Sequence, residues 1–195
     1  LYVFGANRIE ELDIRNATPK QSGWDISELT LIKKLLIGGE GYTPATTIGD
    51  ELATLSLGQL PFLEELDLRG FPIKEVDATY CPRLQTLKAT GSTLQTLTLA
   101  ETSPISTLSL PETMTSMSFV NLPNLSYPNG GLTIAGYSAL KTLRINGCQK
   151  IDSLKFMQNA VSGGADIKFI SVTDLNVNAD ATVLNALKTS GAKGI

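Results

Sequence analysis

The sequence predicts a solenoid of short β-strands, with two strands in each coil. Three observations carry this prediction: a repeated hydrophobic pattern, its regular spacing, and the polar residues between its anchors. From Leu60 to Phe119 the pattern apolar, two polar, apolar, one polar, apolar occurs six times. Repeats of this kind build stacked coils in which every unit buries its apolar face against its neighbours.

The spacing of the pattern sets the length of one coil. Its middle anchors step by 10, 11, 10, 11 and 9 residues, and they are Leu66, Val76, Leu87, Leu97, Leu108 and Met117. Two successive steps, as from Leu66 to Leu87, make one coil of about 21 residues, which carries the pattern twice. We predict one short strand on each broad face of the coil and little helix between them.

The residues around each middle anchor predict which side of the strand faces solvent. Successive side chains of a strand point to opposite faces, so the outer residues of L-x-L enter the core and the central one points away. The central positions are polar, namely Asp67, Lys88 and Ser109 on one face and Asp77, Thr98 and Ser118 on the other. We expect Leu66, Leu87, Leu97 and Leu108 to be buried in stacked columns.

These motifs resemble those of leucine-rich repeat proteins, whose strands carry L-x-x-L-x-L in turns of about 20–29 residues. The runs GANRIEELDIRN, GGEGY, ATGSTL and GYSALKTLRINGC further resemble repeat segments of gut bacterial surface proteins and of virion-associated proteins of their phages. The resemblance implies a leucine-rich repeat solenoid, an α/β-class fold that is strand-dominated here. It also implies a segment of a longer chain on a bacterial surface or a virion.

The domain prediction is a single leucine-rich repeat domain over residues 1–195. Residues 60–119 are its most regular repeats, and looser units precede and follow them. Residues 121–131 contain two prolines and the turn signal Asn129-Gly130, so we interpret them as an irregular corner. Residues 176–195 predict a short helix, which is either a C-terminal cap over the core or the start of a further domain.

Composition narrows the classes of partner. The 195 residues are 42% hydrophobic and 18% charged, with a formal net charge of −3. A basic face is needed for non-specific binding to nucleic acid, so we predict no nucleic-acid partner. No apolar run approaches the roughly 18–20 residues of a membrane span, so we predict no membrane insertion. The predicted partner is a protein or a glycan.

The sequence favours no catalytic site, metal site or cofactor. It contains no histidine, which removes histidine-dependent triads and most zinc sites. Cys81 and Cys148 lie roughly three coils apart, beyond disulfide reach, and are expected to be buried thiols. The carboxylates Glu65 and Asp67 fall on a different face from Asp77, so a solvated charged surface is the main interpretation and a weak calcium site the alternative.

Candidate binding residues lie in the irregular corner, because loops on a rigid scaffold are common recognition sites. They are Asn124, Tyr127 and Asn129, with the adjacent Tyr137. Two alternatives stay open. The two tyrosines can instead cap the core at corners, and the Ser-, Thr- and Gln-rich strand faces can instead form a flat binding surface.

The predicted function is therefore a non-enzymatic protein- or glycan-interaction module of a bacterial surface protein or a phage structural protein. The first alternative is a structural spacer in a larger assembly protein, with no ligand of its own. A carboxylate-dependent hydrolase is the remote alternative.

Overall fold

The computed structural model describes residues 8–15, 26, 28–39, 54–127, 129–136, 138–153, 168–173 and 185. Within these residues, twelve short strands form two six-stranded sheets. In chain order the strands are β1 (Glu11–Asp13), β2 (Lys34–Leu36), β3 (Thr54–Ser56), β4 (Glu65–Asp67), β5 (Glu75–Ala78), β6 (Thr86–Lys88), β7 (Thr96–Leu99), β8 (Thr107–Leu110), β9 (Ser116–Val120), β10 (Leu132–Ile134), β11 (Thr142–Asn146) and β12 (Phe169–Thr173).

The strand order makes the chain a β-solenoid of about five turns. Sheet 1 has the order β1-β2-β4-β6-β8-β10 and sheet 2 the order β3-β5-β7-β9-β11-β12, with parallel pairing throughout. From β2 to β11, successive strands alternate between the sheets, so each coil gives one strand to each. The prediction of two strands per coil on opposite faces is confirmed.

The core is a set of apolar columns that run along the solenoid axis. In sheet 1, Leu66 pairs in register with Leu87, and Leu87 pairs with Leu108. All three are fully buried, and Leu97, which pairs with Val76 in sheet 2, is 5% exposed. The predicted burial of these leucines in stacked columns is confirmed.

Ion pairs cover the outer face of sheet 1. Glu65 binds Lys88 at 2.8 Å and Lys34 at 3.7 Å, each on a neighbouring strand. Asp67 departs from the expectation of a solvent-facing residue, since it is only 3% exposed. The reason is Arg69, which folds back over it and donates from Nη2 to Oδ2 at 2.7 Å. A buried carboxylate needs such a partner.

The same arrangement occurs at the β1 edge of sheet 1, in the run ELDIR. There Arg15 donates from Nε to Asp13 Oδ1 at 2.9 Å, as Arg69 does to Asp67 in ELDLR. The side-chain hydrogen bond from Arg15 lowers the pKa of Asp13 from 3.8 to about 2. The recurrence of Asp and Arg two residues apart therefore gives both carboxylates a partner within their own coil.

Tight turns with buried residues close the corners between the sheets. The amide of Leu63 donates to the Leu60 carbonyl at 3.1 Å, and Leu84 donates to Cys81 in the same way at 3.1 Å. Cys81 and Cys148 are buried free thiols, as predicted. Burial raises the pKa of Cys81 to about 11, so its thiol is neutral and packs as an apolar group.

Much of the chain after Ser153 lies outside the described residues, including nearly all of the predicted C-terminal helix. Of the residues of the predicted helix, Asn185 is the one that the structure describes, and it is helical. In the part of the chain that the structure describes, no helix has the length and apolar character to cross a membrane.

Candidate binding site

The structure places the residues of the predicted corner in different surroundings. Asn124 is exposed, and its Oδ1 accepts a hydrogen bond from Lys150 Nζ at 3.1 Å. Asn129 is exposed, and Tyr137 lies outside the described residues. Tyr127 is half-buried and packs against the core, where it forms an isolated parallel bridge with Ile151 of the next corner. Tyr127 is thus seated in the coil stack, as the core-capping alternative expects.

The departure from the repeat is confined to the end of this corner. Leu122 and Leu125 are buried like the anchors of other corners. The amide of Leu132 donates to the Ser126 carbonyl at 2.9 Å and closes a short loop between them. Gly131 sits so tightly in its base that an added Cβ would lie 2.7 Å from the Ser106 carbonyl oxygen. Residues 121–126 therefore follow the coil, and the loop that follows them is the insertion.

An exposed aromatic residue lies at another corner, between β5 and β6. Tyr80 is 61% exposed, the most of any large hydrophobic side chain among the described residues. It borders an open groove of about 470 Å³ that is lined by Thr30, Gln59, Pro61, Thr79, Tyr80 and Pro82. These residues come from three successive corners of the solenoid. We call this surface the corner groove.

The backbone on both sides of Tyr80 is held in place. Thr79 donates to Asp77 Oδ1 from its amide at 2.9 Å and from its hydroxyl at 2.6 Å. The side-chain hydrogen bond from Thr79 lowers the pKa of Asp77. On the other side, the buried Cys81 donates its amide to the Ala78 carbonyl at 3.1 Å. Tyr80 is therefore an exposed ring on a rigid turn.

Beside the groove, Phe62 is already engaged. The guanidinium carbon of Arg83 lies 4.7 Å from the centre of the Phe62 ring, in cation–π geometry. Phe62 is half-buried beneath this contact, whereas Pro61 and Pro82 are exposed along the groove. The ring available to a ligand at this corner is that of Tyr80.

A second concave surface opens in sheet 2, between β7 and β9. The two strands share a single register pair, Thr96 with Ser116, whereas β7 pairs with β5 over four residues and β9 with β11 over five. Past Ser116 a cavity of about 290 Å³ lies between them, and we call it the split cavity. Its lining consists of Leu97, Thr98, Leu99, Ala100, Glu101, Ser118, Val120, Leu122 and Arg144.

One extra residue in the β7 unit explains the separation. In the neighbouring units, the buried corner residue comes six positions after the first residue of the strand, as Cys81 does after Glu75. In the β7 unit the buried corner residue is Ser103, and it comes seven positions after Thr96. An extra residue of this kind bends a strand and disrupts its ladder, as in a β-bulge. Thr102, just before Ser103, has a left-handed φ of 58°, as Asn121 has just before Leu122. The end of β7 therefore no longer matches β9.

Sequence reasoning missed both surfaces, although each leaves a signal in the aligned units. Tyr80 occupies the position just before the buried corner residue, where other coils carry Gln59, Asn121 and Gly147. A tyrosine among polar residues and glycine at a solvent-facing position is the signal for the corner groove. Two signals mark the split cavity. The step from Leu108 to Met117 is nine residues, where the other steps are ten or eleven, and Pro104 comes one position later in its unit than Pro82 does.

The predicted separation of the carboxylates is found in the structure. Glu65 and Asp67 lie on β4 in sheet 1, whereas Asp77 lies on β5 in sheet 2. Lys88 and Arg69 pair with the first two, as their positions suggest. In the described ranges, no three Cys, Asp or Glu side chains are grouped so that they could hold a metal ion.

Comparison of the chain with protein-family models, with curated proteins and with solved structures finds no match.

Proposed function

We propose that this protein is a non-enzymatic binding module of the leucine-rich repeat type that recognises a glycan at the corner groove. The observation that carries the proposal is Tyr80, an aromatic ring that is 61% exposed on a turn fixed from both sides. Because the backbone that carries Tyr80 is already held, binding has to order only the side chain, which lowers the entropic cost of the contact.

The chemistry of the groove suits a sugar. The face of an aromatic ring stacks on the apolar C–H face of a pyranose, and Tyr adds a hydroxyl group. Gln59 and Thr30 supply amide and hydroxyl groups at the groove wall, which can bond sugar hydroxyls. Pro61 and Pro82 add exposed apolar surface with little flexibility.

The size of the groove favours a glycan over a protein partner. A stable protein interface covers about 800 Å² on each partner around an apolar centre. Among the described residues, the exposed large hydrophobic side chains are Leu31, Tyr80 and Phe169, and Phe169 lies on β12 at the far end of sheet 2. A groove of about 470 Å³ with one free aromatic ring instead matches a short oligosaccharide.

The setting that we propose is the surface of a bacterium or a phage particle. Its support is the resemblance of the repeats to segments of gut bacterial surface proteins and phage virion proteins. The net charge of −3 agrees with a glycan or protein ligand better than with nucleic acid.

A glycan array tests the proposal, with wild type, Tyr80→Ala and Tyr80→Phe side by side. We expect wild type to bind a defined set of glycans and Tyr80→Ala to bind them about fivefold more weakly or worse, because stacking on an exposed ring contributes about 1 kcal/mol or more. Tyr80→Phe keeps the ring and should retain most of the binding.

Asn124→Ala is the matched control, since it removes an exposed polar side chain at the corner that the sequence favoured. Equal loss in Asn124→Ala and none in Tyr80→Ala would move the site to residues 121–131. Binding that neither substitution changes would move it to the strand faces.

The structural spacer is the second candidate, and one observation favours it. Cross-coil ion pairs run along sheet 1 from Glu11 to Lys34 to Glu65 to Lys88, which suits a stiff rod. A wild-type chain that binds nothing on the array would support this candidate over the glycan module.

A further inference from the structure

The split cavity carries a feature that the corner groove lacks, a pair of opposite charges on its two walls. Glu101 follows β7 and lines one wall. Arg144 lines the other from β11, where it is the register partner of Ser118. Both charged side chains are exposed, and in the described part of the chain Glu101 has no ion-pair partner. The Glu101 carboxylate is therefore open to a ligand, and Arg144 presents a second charge at the same cavity.

Between the charges the cavity has hydroxyl groups at its rim and an apolar floor. Thr98 and Ser118 are exposed at the rim. Leu122 is 1% exposed at the floor, and Leu99 and Val120 beside it are half-buried. Leu99 would be inside the core in a regular strand, so the β7 bulge exposes apolar surface here.

Arg144 is also positioned by its own strand. In the amide orientation that also lets Asn146 donate to Thr173 Oγ1, the Asn146 oxygen accepts from Arg144 Nε at 2.9 Å and from Arg144 Nη2 at 3.3 Å. These contacts occupy the Nε–Nη2 edge of the guanidinium group and leave the Nη1–Nη2 edge for a carboxylate, which arginine binds in bidentate fashion.

The backbone of Thr102, beside the split cavity, is strained. Thr102 and Asn121 are the two non-glycine residues with left-handed φ in the described ranges, at 58° and 52°. Asn121 follows β9 and is of a residue type that tolerates this conformation, whereas Thr102, which follows β7, is not. For a β-branched residue such as Thr102 this conformation is a true outlier, and retained strain of this kind clusters at functional sites.

We propose that the split cavity binds a free α-amino acid with an apolar side chain. Arg144 binds the carboxylate, Glu101 binds the ammonium group, and the side chain lies on Leu99 and Val120. A zwitterion satisfies both charges at once. A simple anion would face Glu101, and a neutral ligand would leave both charges without partners while displacing their water.

The volume agrees with this ligand class. A cavity of about 290 Å³ holds one leucine-sized amino acid and some water, and it is too small for a peptide of several residues. Because the rim is open to solvent, we expect weak binding with fast exchange. The split cavity and the corner groove are formed by different residues, so this proposal stands or falls independently of the glycan proposal.

The test is a titration of the ¹⁵N-labelled chain, followed by amide chemical shifts in NMR. L-leucine at millimolar concentration should shift the amide signals of Thr98, Ser118 and Val120. Leucinamide lacks the carboxylate and N-acetyl-leucine lacks the ammonium group, so each should bind about tenfold more weakly or worse. N-acetylneuraminic acid, an acidic sugar, serves as the comparison ligand and should leave these signals in place.

Substitutions then assign the two charges. Arg144→Gln and Glu101→Gln should each weaken leucine binding about tenfold or more, because each removes a charge-assisted contact. Lys141→Gln is the control, since it removes one exposed positive charge near the start of β11 without touching the cavity.

Three results would overturn the proposal. They are the absence of shifts with leucine, equal binding of leucine and its blocked forms, and shifts with N-acetylneuraminic acid but not with leucine. Leucine binding that both charge substitutions leave unchanged would likewise remove Arg144 and Glu101 from the site.

Discussion

The ladder β4–β6–β8 in sheet 1 and the pair β7–β9 in sheet 2 differ in one respect. In this ladder each strand follows its neighbour by one regular coil and pairs with it over three residues, as Leu66 does with Leu87 and Leu87 with Leu108. Between β7 and β9 the coil is one residue shorter than the regular coil, counted from Thr96 to its register partner Ser116. These two residues are the single register pair of the two strands, which separate after it. The regular ladder forms a continuous core, and the irregular pair forms a cavity.

This difference teaches where shape can arise in a solenoid. Each regular coil is held to its length by the neighbours on which it stacks, so it presents a nearly flat face. A one-residue change of length releases part of the chain from that constraint. The split cavity occurs at this change, and the loop before β10 occurs where the coil is three residues longer than 21, since Leu108 pairs with Leu132. The corner groove keeps the regular length and depends on the identity of Tyr80.

The largest expected effect comes from cavity-forming substitutions in the two ladders. Leu87→Ala should reduce the free energy of unfolding by about 2–5 kcal/mol, because Leu87 is fully buried between two other leucines. Leu97→Ala should cost less, since Leu97 already borders the split cavity. Urea unfolding measures both, and equal losses would argue against a difference in packing between the two ladders.

A smaller effect is expected at the turn that carries Tyr80. Thr79→Ala removes the hydroxyl donor to Asp77 and should cost about 1 kcal/mol at neutral pH. The Asp77 pKa should rise towards its ordinary value of 3.8, which NMR titration measures directly. Thr90→Ala, at an exposed threonine whose side chain makes no such contact, is the control.

The same hydrogen bond predicts a pH dependence. The pKa of Asp77 is lower in the folded chain than its ordinary value, so its contribution to stability is complete above that value. The contribution disappears as the pH falls below about 3.8 and through the folded pKa. Unfolding curves of wild type and Thr79→Ala should therefore converge in acid, and a constant difference down to the lowest pH would contradict this.

The smallest effect concerns strain at the bulge. Thr102→Gly should raise the free energy of unfolding by up to about 1 kcal/mol, because glycine adopts left-handed φ without the cost that threonine bears there. The greater freedom of glycine in the unfolded chain offsets part of this gain. Thr90→Gly, at a residue without left-handed φ, should destabilise the chain. Destabilisation by both substitutions would show that Thr102 is unstrained.

Sequence periodicity was sufficient for the architecture. The anchor spacing predicted both sheets, and each middle anchor from Leu12 to Leu143 lies in a strand where it is described. The burial of the columns followed from the same alternation. This works because a regular repeat makes local pattern and global packing agree.

Details that depend on side-chain partners did not follow from the pattern. Asp67 was expected to face solvent because it is polar, and only the fold shows that Arg69 covers it. The turn that carries Tyr80 is fixed by the hydrogen bonds of Thr79, and the split cavity depends on a register that no single unit encodes. Such features arise from contacts between coils, which one-dimensional spacing does not specify.

Hydrogen exchange along β9 tests most directly whether the ladder opens at the split cavity. The amide of Asn121 donates to Asn146 on β11, and alternate amides of a strand point to opposite neighbours. The backbone amides of Met117 and Phe119 therefore point to β11, whereas the amides of Ser118 and Val120 point to β7. We predict that the amides of Ser118 and Val120 exchange about tenfold or more faster than those of Met117 and Phe119. Equal protection of all four amides would mean that β7 and β9 form a closed ladder, and that the split cavity does not exist in solution.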